Sequence, residues 1–374
     1  MSHENGAALQ SRVTADWPSW PVEFVRGLSE RGLSFQFSAV HDTSFDPIEP
    51  RQNHSSFARY SLDLSATVDG GRSFGWRGGQ ALVHLKQHIN EFGRDYGEAA
   101  QGYSNIDGQS RTTLYEVWGQ QALFIDKLRV KAGKFDANTE FAVVPSASDF
   151  LNSSMGYSPT IMDFPTYPEP KLGVDISIRI PKATQLSLGI LNASENTRMS
   201  VIELAHGWSV ATNKLDGRGS LGYWYLGGSI DRFDGDRASG THGFFGVLEQ
   251  TIWQGDTHRE TDSAPRLSFF AQYGTGDHAE NPFVYHFGAG TIMSGPFRSR
   301  PSDATGFAAT WVRFTDEPLC GFDAKVERVV EAYYKFSLGH HTAFFSDLQF
   351  YQHPGGFRSH PDSLVATSRV SVSF

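Results

Sequence analysis

Cysteine is nearly missing: Cys320 stands alone in 374 residues, so no internal disulfide can form. Long apolar runs are missing too, and a membrane-spanning helix, which needs about 20 consecutive apolar residues, is excluded. Hydrophobic residues make up only 39% of the chain, thin for a large soluble two-layer core. There is no basic excess, since 32 Lys and Arg face 41 Asp and Glu, which argues against a general nucleic-acid binder. The first residues, MSHENGAALQSRV, lack the apolar centre of a signal peptide. An exported chain needs one, so the expectation is a leader upstream of Met1 that has been removed.

What is abundant is Phe (29), Gly (38) and Trp (8). A water-filled β-barrel has a polar interior and an aromatic outer girdle, so it needs few aliphatic residues. Period-two alternation begins at Gly32 and returns again and again. Leu33, Phe35 and Phe37 oppose Ser34, Gln36 and Ser38; Tyr60, Leu62 and Leu64 oppose Arg59, Ser61 and Asp63. Val83 and Leu85 oppose His84 and Lys86, while Tyr115, Val117 and Leu123 oppose Glu116, Trp118 and Gln120. Soluble antiparallel sheets alternate as well. Here the ionisable groups keep to one face, which favours a membrane wall. About sixteen such strands can be counted, an even number as in bacterial single-chain barrels.

The predicted fold is an all-β, transmembrane, antiparallel β-barrel over residues 31–374. Residues 1–30 form an N-terminal periplasmic segment whose stretch 16–30 carries a helix signal, with Val22, Val25 and Leu28 on one face. That helix is expected at the periplasmic mouth, with a plug in the lumen as the alternative. Pro181–Ala183 reads as a tight periplasmic turn, and 231–241 and 294–305 as longer external loops. Register is ambiguous in GFAATWVRF, where Trp311 and Arg313 share a face.

After the strand LRVKAGKF more than thirty residues pass before the next alternation. Segments of that length without regular structure are uncommon, and the aromatics and prolines here argue against disorder. Residues 138–171 are therefore predicted to fold into the barrel and constrict it. Pro159, Pro165, Pro168 and Pro170 lower the entropy cost of holding that path.

Taken literally, the alternation sends Arg59, Asp63, His84, Lys86, Glu116, Arg129, Lys131, Asp175, Arg179, Glu203, Arg266, Glu331, Lys335, Asp347 and Arg369 inward. Both signs are interleaved, unlike the basic ladder of a phosphate pore or the acidic ring of a cation channel. Mixed charge suits neutral polyols, whose vicinal hydroxyls exchange paired hydrogen bonds with charged groups. The predicted solute-binding pore lining is Glu116, Trp118, Arg129, Lys131, Arg59, Lys86, Asn152 and Tyr157, with Trp118 as a stacking platform for a sugar ring. A channel must release what it binds, so millimolar affinity, about −4 kcal/mol, is expected. The scattered histidines lack zinc spacing, and no cofactor or metal is expected. His206 with Asp216 is the best candidate for a rim hydrolase, without supporting spacing.

LYEVWGQQALF, LRVKAGKFDANTEFA, DFLNSSMGYSPTI, FPTYPEPKLGV, GSLGYWYLGGSIDRFDG, GAGTIMSGPFRSRPSDATGFA and SDLQFYQHPGG follow one another in an order and spacing that resemble the carbohydrate-selective porin (OprB) family. The similarity runs over most of the chain from about Leu114 and more faintly before it. It implies a bacterial outer-membrane channel, without enzymatic activity, that passes small sugars such as monosaccharides by diffusion. A porin for an organic acid or anion is the alternative, and an outer-membrane barrel hydrolase a more distant one. Partners expected on this reading are small sugars, outer-membrane lipid and lipopolysaccharide, with no nucleic acid; a homotrimer stays open. The terminal strand SRVSVSF resembles the signal read by the barrel-assembly machinery through Phe374.

Overall fold

The computed structural model describes residues 27–45, 56–90, 99–181, 183–210, 215–256 and 264–374. β1 (Leu33–Phe45), β2 (Ser56–Asp69), β3 (Gly79–Asn90), β4 (Arg111–Leu123) and β5 (Leu128–Phe135) precede the long connection 136–170. β6 (Lys171–Ile180), β7 (Thr184–Asn192), β8 (Thr197–Val210), β9 (Leu215–Asp231) and β10 (Arg237–Gln254) follow it. β11 (Arg266–Thr275), β12 (Phe283–Ser294), β13 (Ala304–Phe314), β14 (Val326–Ser337), β15 (Thr342–Gln352) and β16 (Ser363–Ser373) complete the set. Each pairs antiparallel with its sequence neighbours, and β1 pairs with β16, so the sheet is a closed barrel without edges. Phe37 and Phe374 exchange backbone hydrogen bonds of 3.1 and 2.9 Å where the ends meet.

Alternation turns the molecule inside out. Phe35, Phe37, Leu62, Leu64, Val174, Ile176, Ile202, Leu204, Leu221 and Leu348 are exposed on the outer wall. Asp42, Arg59, Asp175, Glu203, Glu327, Glu331 and Asp347 are buried inside. An apolar surface of that extent needs lipid around it.

The structure resolves the ambiguity in β13: Trp311 and Arg313 both face outward, and Arg313 pairs with Asp316 (3.0 Å) at the rim. Elsewhere it corrects the simple reading. Tyr115 does not share the outer face with Val117. The β3–β4 register shifts between His84 and Leu85, so the extra residue in β4 turns both Tyr115 and Glu116 inward and leaves Leu114 outside. Residues 294–305 do not lie opposite Pro181–Ala183; both connections sit at the end that carries the chain termini. Residues 231–241 form little loop, because β9 and β10 run on for 17 and 18 residues and are tied across by Arg237–Asp231 (2.9 Å). Gly and Asp mark the turn there without limiting the strands. Residues 27–30 are helical. The rest of the predicted helix 16–30, and its choice between mouth and lumen, lies outside the described residues.

Candidate functional site

Segment 136–170 leaves β5 and enters the lumen, where inward carboxylates on four strands take hold of its main chain. Glu116 on β4 accepts from the Asp136 N–H (3.0 Å), and Glu203 on β8 from the Ala142 N–H (2.8 Å). Glu249 on β10 accepts from Ser146 (2.8 Å), and Glu331 on β14 from Leu151 (2.5 Å) and Asn152 (3.2 Å). Gln272 on β11 donates to the Ser154 and Met155 carbonyls. Phe150, Leu151 and Met155 pack against Phe270, Tyr333 and Phe345 of the inner wall. A bond from an amide to an ionised acceptor contributes about 1.5–3 kcal/mol. The stitches together hold a segment that has almost no regular structure of its own.

A second segment, 99–110, folds in from the β3–β4 connection. Glu327 accepts from the Ala100 and Gln101 N–H groups (2.8 and 2.9 Å). Arg369 forks onto Asp42 (2.7 and 2.8 Å) and reaches Ser104 and Asn105. Arg59 pairs with Asp107 and donates to Ser44 (2.7 Å). Burial pushes the Asp107 carboxyl up to about 6, outweighing the adjacent Arg59 guanidinium.

Between the two segments and the β2–β4 wall lies a cleft of about 650 Å³. Asp63, Lys86, Tyr115, Asn138, Tyr157 and Tyr167 are among its lining residues. Lys86 Nζ sits 2.8 Å from Asp63 and 4.9 and 5.2 Å from the ring centres of Tyr115 and Tyr167. From there a chain of contacts descends the wall toward the termini. His84 bridges Asp63 (2.8 Å) and Glu116 (3.2 Å). Lys131 lies over the Trp118 ring at 4.1 Å and pairs with Glu140 (2.6 Å). Arg129 joins Glu140, Asp175 (2.7 Å) and Ser177 (2.9 Å). Gly133 lets β5 close on β4 beside Trp118: with φ +137°, a Cβ there would stand 2.3 Å from the Val117 carbonyl. Asp136, at the head of the long segment, receives Tyr115 OH (2.5 Å) and Thr166 Oγ1 (2.6 Å), yet burial still pushes its carboxyl up.

Of the predicted lining residues, Lys86, Glu116, Trp118, Lys131 and Arg129 form this one continuous wall. Tyr157 lines the cleft, half-buried and packed on Phe164 (5.4 Å), and burial raises its phenol to about 12. Asn152, 1% exposed, also borders the cleft, whereas Arg59, 0% exposed, does not. Asn152 donates to Tyr351 (2.7 Å) and Gln349 (3.2 Å) and caps the short helix Ser153–Gly156. Both residues hold segments in place and offer little free surface. Trp118 gives one ring face to Lys131, so it is less open a platform than its position in the sequence suggests. Sequence reasoning missed Glu140, Tyr115, Asp107 and the clamps Glu249 and Glu327. The last two were legible from strand parity; the loop residues carried no signal. His206 and Asp216 do not meet: His206 bonds Thr184 (2.8 Å) on the outer wall, and Asp216 accepts from Ser209.

A family profile described as carbohydrate-selective porin, OprB family, matches residues 55–225 and 214–374. The chain belongs to this family. Porin B of Pseudomonas aeruginosa is 21% identical, over 97% of this chain and 91% of that protein. A high-pH structure of Pseudomonas putida OprB matches with a TM-score of 0.84 at 20% identity, over 95% of this chain and 97% of that one. A mutant of the Rh. blastica porin shares the fold more distantly, with a TM-score of 0.52 at 10% identity over 91% and 100% of the two chains. Family and barrel together mark an outer-membrane protein and point to a channel without enzymatic activity.

Proposed function

We propose that the protein lets small neutral sugars, monosaccharides among them, diffuse passively through the lumen where residues 138–171 constrict it. The observation that carries this reading is the cleft of about 650 Å³, where Lys86 and Asp63 neutralise each other, above a wall whose charges are also paired. That volume falls within the roughly 300–1,000 Å³ typical of small-molecule sites. Lys86–Asp63 offers a donor and an acceptor side by side in the cleft, and Lys131–Glu140 and Arg129–Asp175 cancel charge in the wall below, so no strong field of one sign builds up. A sugar can trade water for these groups at nearly equal energy, while an ion gains little from them. Tyr115, Tyr157 and Tyr167 supply ring surfaces and hydroxyls in the same cleft. Residues 31–374 act as the channel body, and residues 1–30 as a periplasmic appendage. Phe374, joined to Phe37 by backbone bonds, is the position where the assembly machinery would read the last strand.

Planar-bilayer recordings titrated with glucose test the reading. Weak ion selectivity and a conductance that falls with millimolar sugar are expected. Strong anion selectivity, or currents that sugars leave untouched, would replace it with a porin for organic acids.

A further inference from the structure

On the outer wall, away from the sugar path, cations gather at the end opposite the chain termini. Arg313 of β13 and Arg328 of β14 face outward, one residue pair apart: Trp311 pairs with Arg328, and Tyr285 with Arg313. Lys325, in the connection between these strands, completes the cluster. Asp316 is its carboxylate, 3.0 Å from both Arg313 and Lys325. Arg328 donates to Gln352 of β15 (2.7 Å) and has no acidic partner among the described residues. Farther along the same connection, Asp323 accepts from the Arg358 main chain and Glu317 lies by Cys320. Of the carboxylates in this connection only Asp316 reaches the cluster within ion-pair distance, so Arg313 and Lys325 share one partner and Arg328 is left to face outward unpaired by an acid among the described residues.

Immediately beneath, toward the middle of the membrane, the outer wall is lowered. Ala289, Ala309 and Ala332 occupy outward positions on β12, β13 and β14, with Ala289 paired to Ala309 and Phe307 to Ala332. Phe287, Phe307, Val330 and Phe350 stand around them and are exposed. A basic headgroup cradle above a shallow apolar trough complements a lipid that carries a phosphate on top and acyl chains below. We propose that this face binds a phosphate-bearing lipid of the surrounding leaflet, held by Arg313, Arg328 and Lys325, with a chain laid over the alanines. The proposal rests on the membrane location alone and is independent of which solute the lumen passes.

The test uses the whole protein in dodecyl maltoside micelles and lipid retention by native mass spectrometry. Bis-phosphorylated lipid A, the same lipid stripped of phosphate, and inorganic phosphate are the three probes. Retention of the phosphorylated form alone is expected, falling about fivefold for each of R313Q and R328Q, the factor that corresponds to about 1 kcal/mol per cation near an anionic surface. Equal retention of the stripped lipid, or no loss in either variant, overturns the proposal. Displacement of lipid A by equimolar inorganic phosphate overturns it too, because the site would then take a free anion. Should the arginine variants fail to fold, D316N raises the local charge instead and is expected to strengthen retention; unchanged retention is equally fatal. Glucose conductance, recorded in parallel, keeps this outcome separate from that of the sugar reading.

Discussion

Glu140 joins the long segment to the wall below the cleft, and its replacement by Ala tests whether that junction sets the width of the path. Its two oxygens serve Arg129 and, at 2.6 Å, Lys131. The Lys131 side chain is only 5% exposed, so in Glu140→Ala a nearly buried ammonium keeps the Trp118 ring and loses its anion. Breaking one partner out of a buried pair costs about 3–5 kcal/mol. Arg129 loses less, because Asp175 and Ser177 remain at 2.7 and 2.9 Å. The clamps at Glu203, Glu249 and Glu331 are untouched, each contributing about 1.5–3 kcal/mol per amide. The segment should therefore come away locally, near 137–142, while the barrel and the rest of the segment persist. The wall also gains one net positive charge. Single-channel recordings should show higher and noisier conductance, a shift toward anions and weaker block by glucose. Glu140→Gln, which keeps an acceptor without the charge, should fall between. A folded Glu140→Ala channel with the conductance, selectivity and glucose block of the parent would refute the reasoning.

Trp118→Ala should raise ion conductance and weaken glucose block by about 2–10-fold, the scale of one aromatic contact, measured by the same sugar titration. Arg129→Ala should act in the same direction; unchanged block in both variants would remove the two residues from the path. Tyr115→Phe deletes the 2.5 Å bond to buried Asp136 and should destabilise the folded protein by about 1–3 kcal/mol in urea unfolding from detergent. For Asp107 the folded value of about 6 stands above the ordinary 3.8. Its contribution to stability is full below about pH 4, is lost as pH rises through 6, and is flat beyond. Asp107→Asn should remove that slope from a series of unfolding midpoints between pH 4 and 7; an identical slope would mean that another group titrates.

Almost all of the barrel could be read from the chain, because period-two alternation is dictated by two solvents, lipid outside and water inside. Misreadings arise where one residue breaks the period. Tyr is acceptable on either face, so nothing in LYEVW announces the bulge that turns Tyr115 inward. The inward carboxylates were legible by parity, but their work was not. Glu203 and Glu331 were read as lining, whereas their partners are backbone amides of residues more than sixty positions away. Main-chain amides are the same for every side chain, so no sequence pattern marks them. Asp42 and Arg369 illustrate a further limit. They face each other only because β1 closes on β16, a pairing between the two ends of the barrel.

The way the long segment is fastened bears on how such a channel can change over generations. Its course is specified by acids planted in the wall, which grip peptide groups and not particular side chains. Mutations at segment positions whose side chains do not anchor it, unlike Glu140, Phe150 or Asn152, can alter what a passing molecule meets without dislodging the track it follows. Mutations at Glu203, Glu249 or Glu331 would do the reverse. On the proposed function, selectivity could then be altered within the insert while the frame that holds it stays as it is.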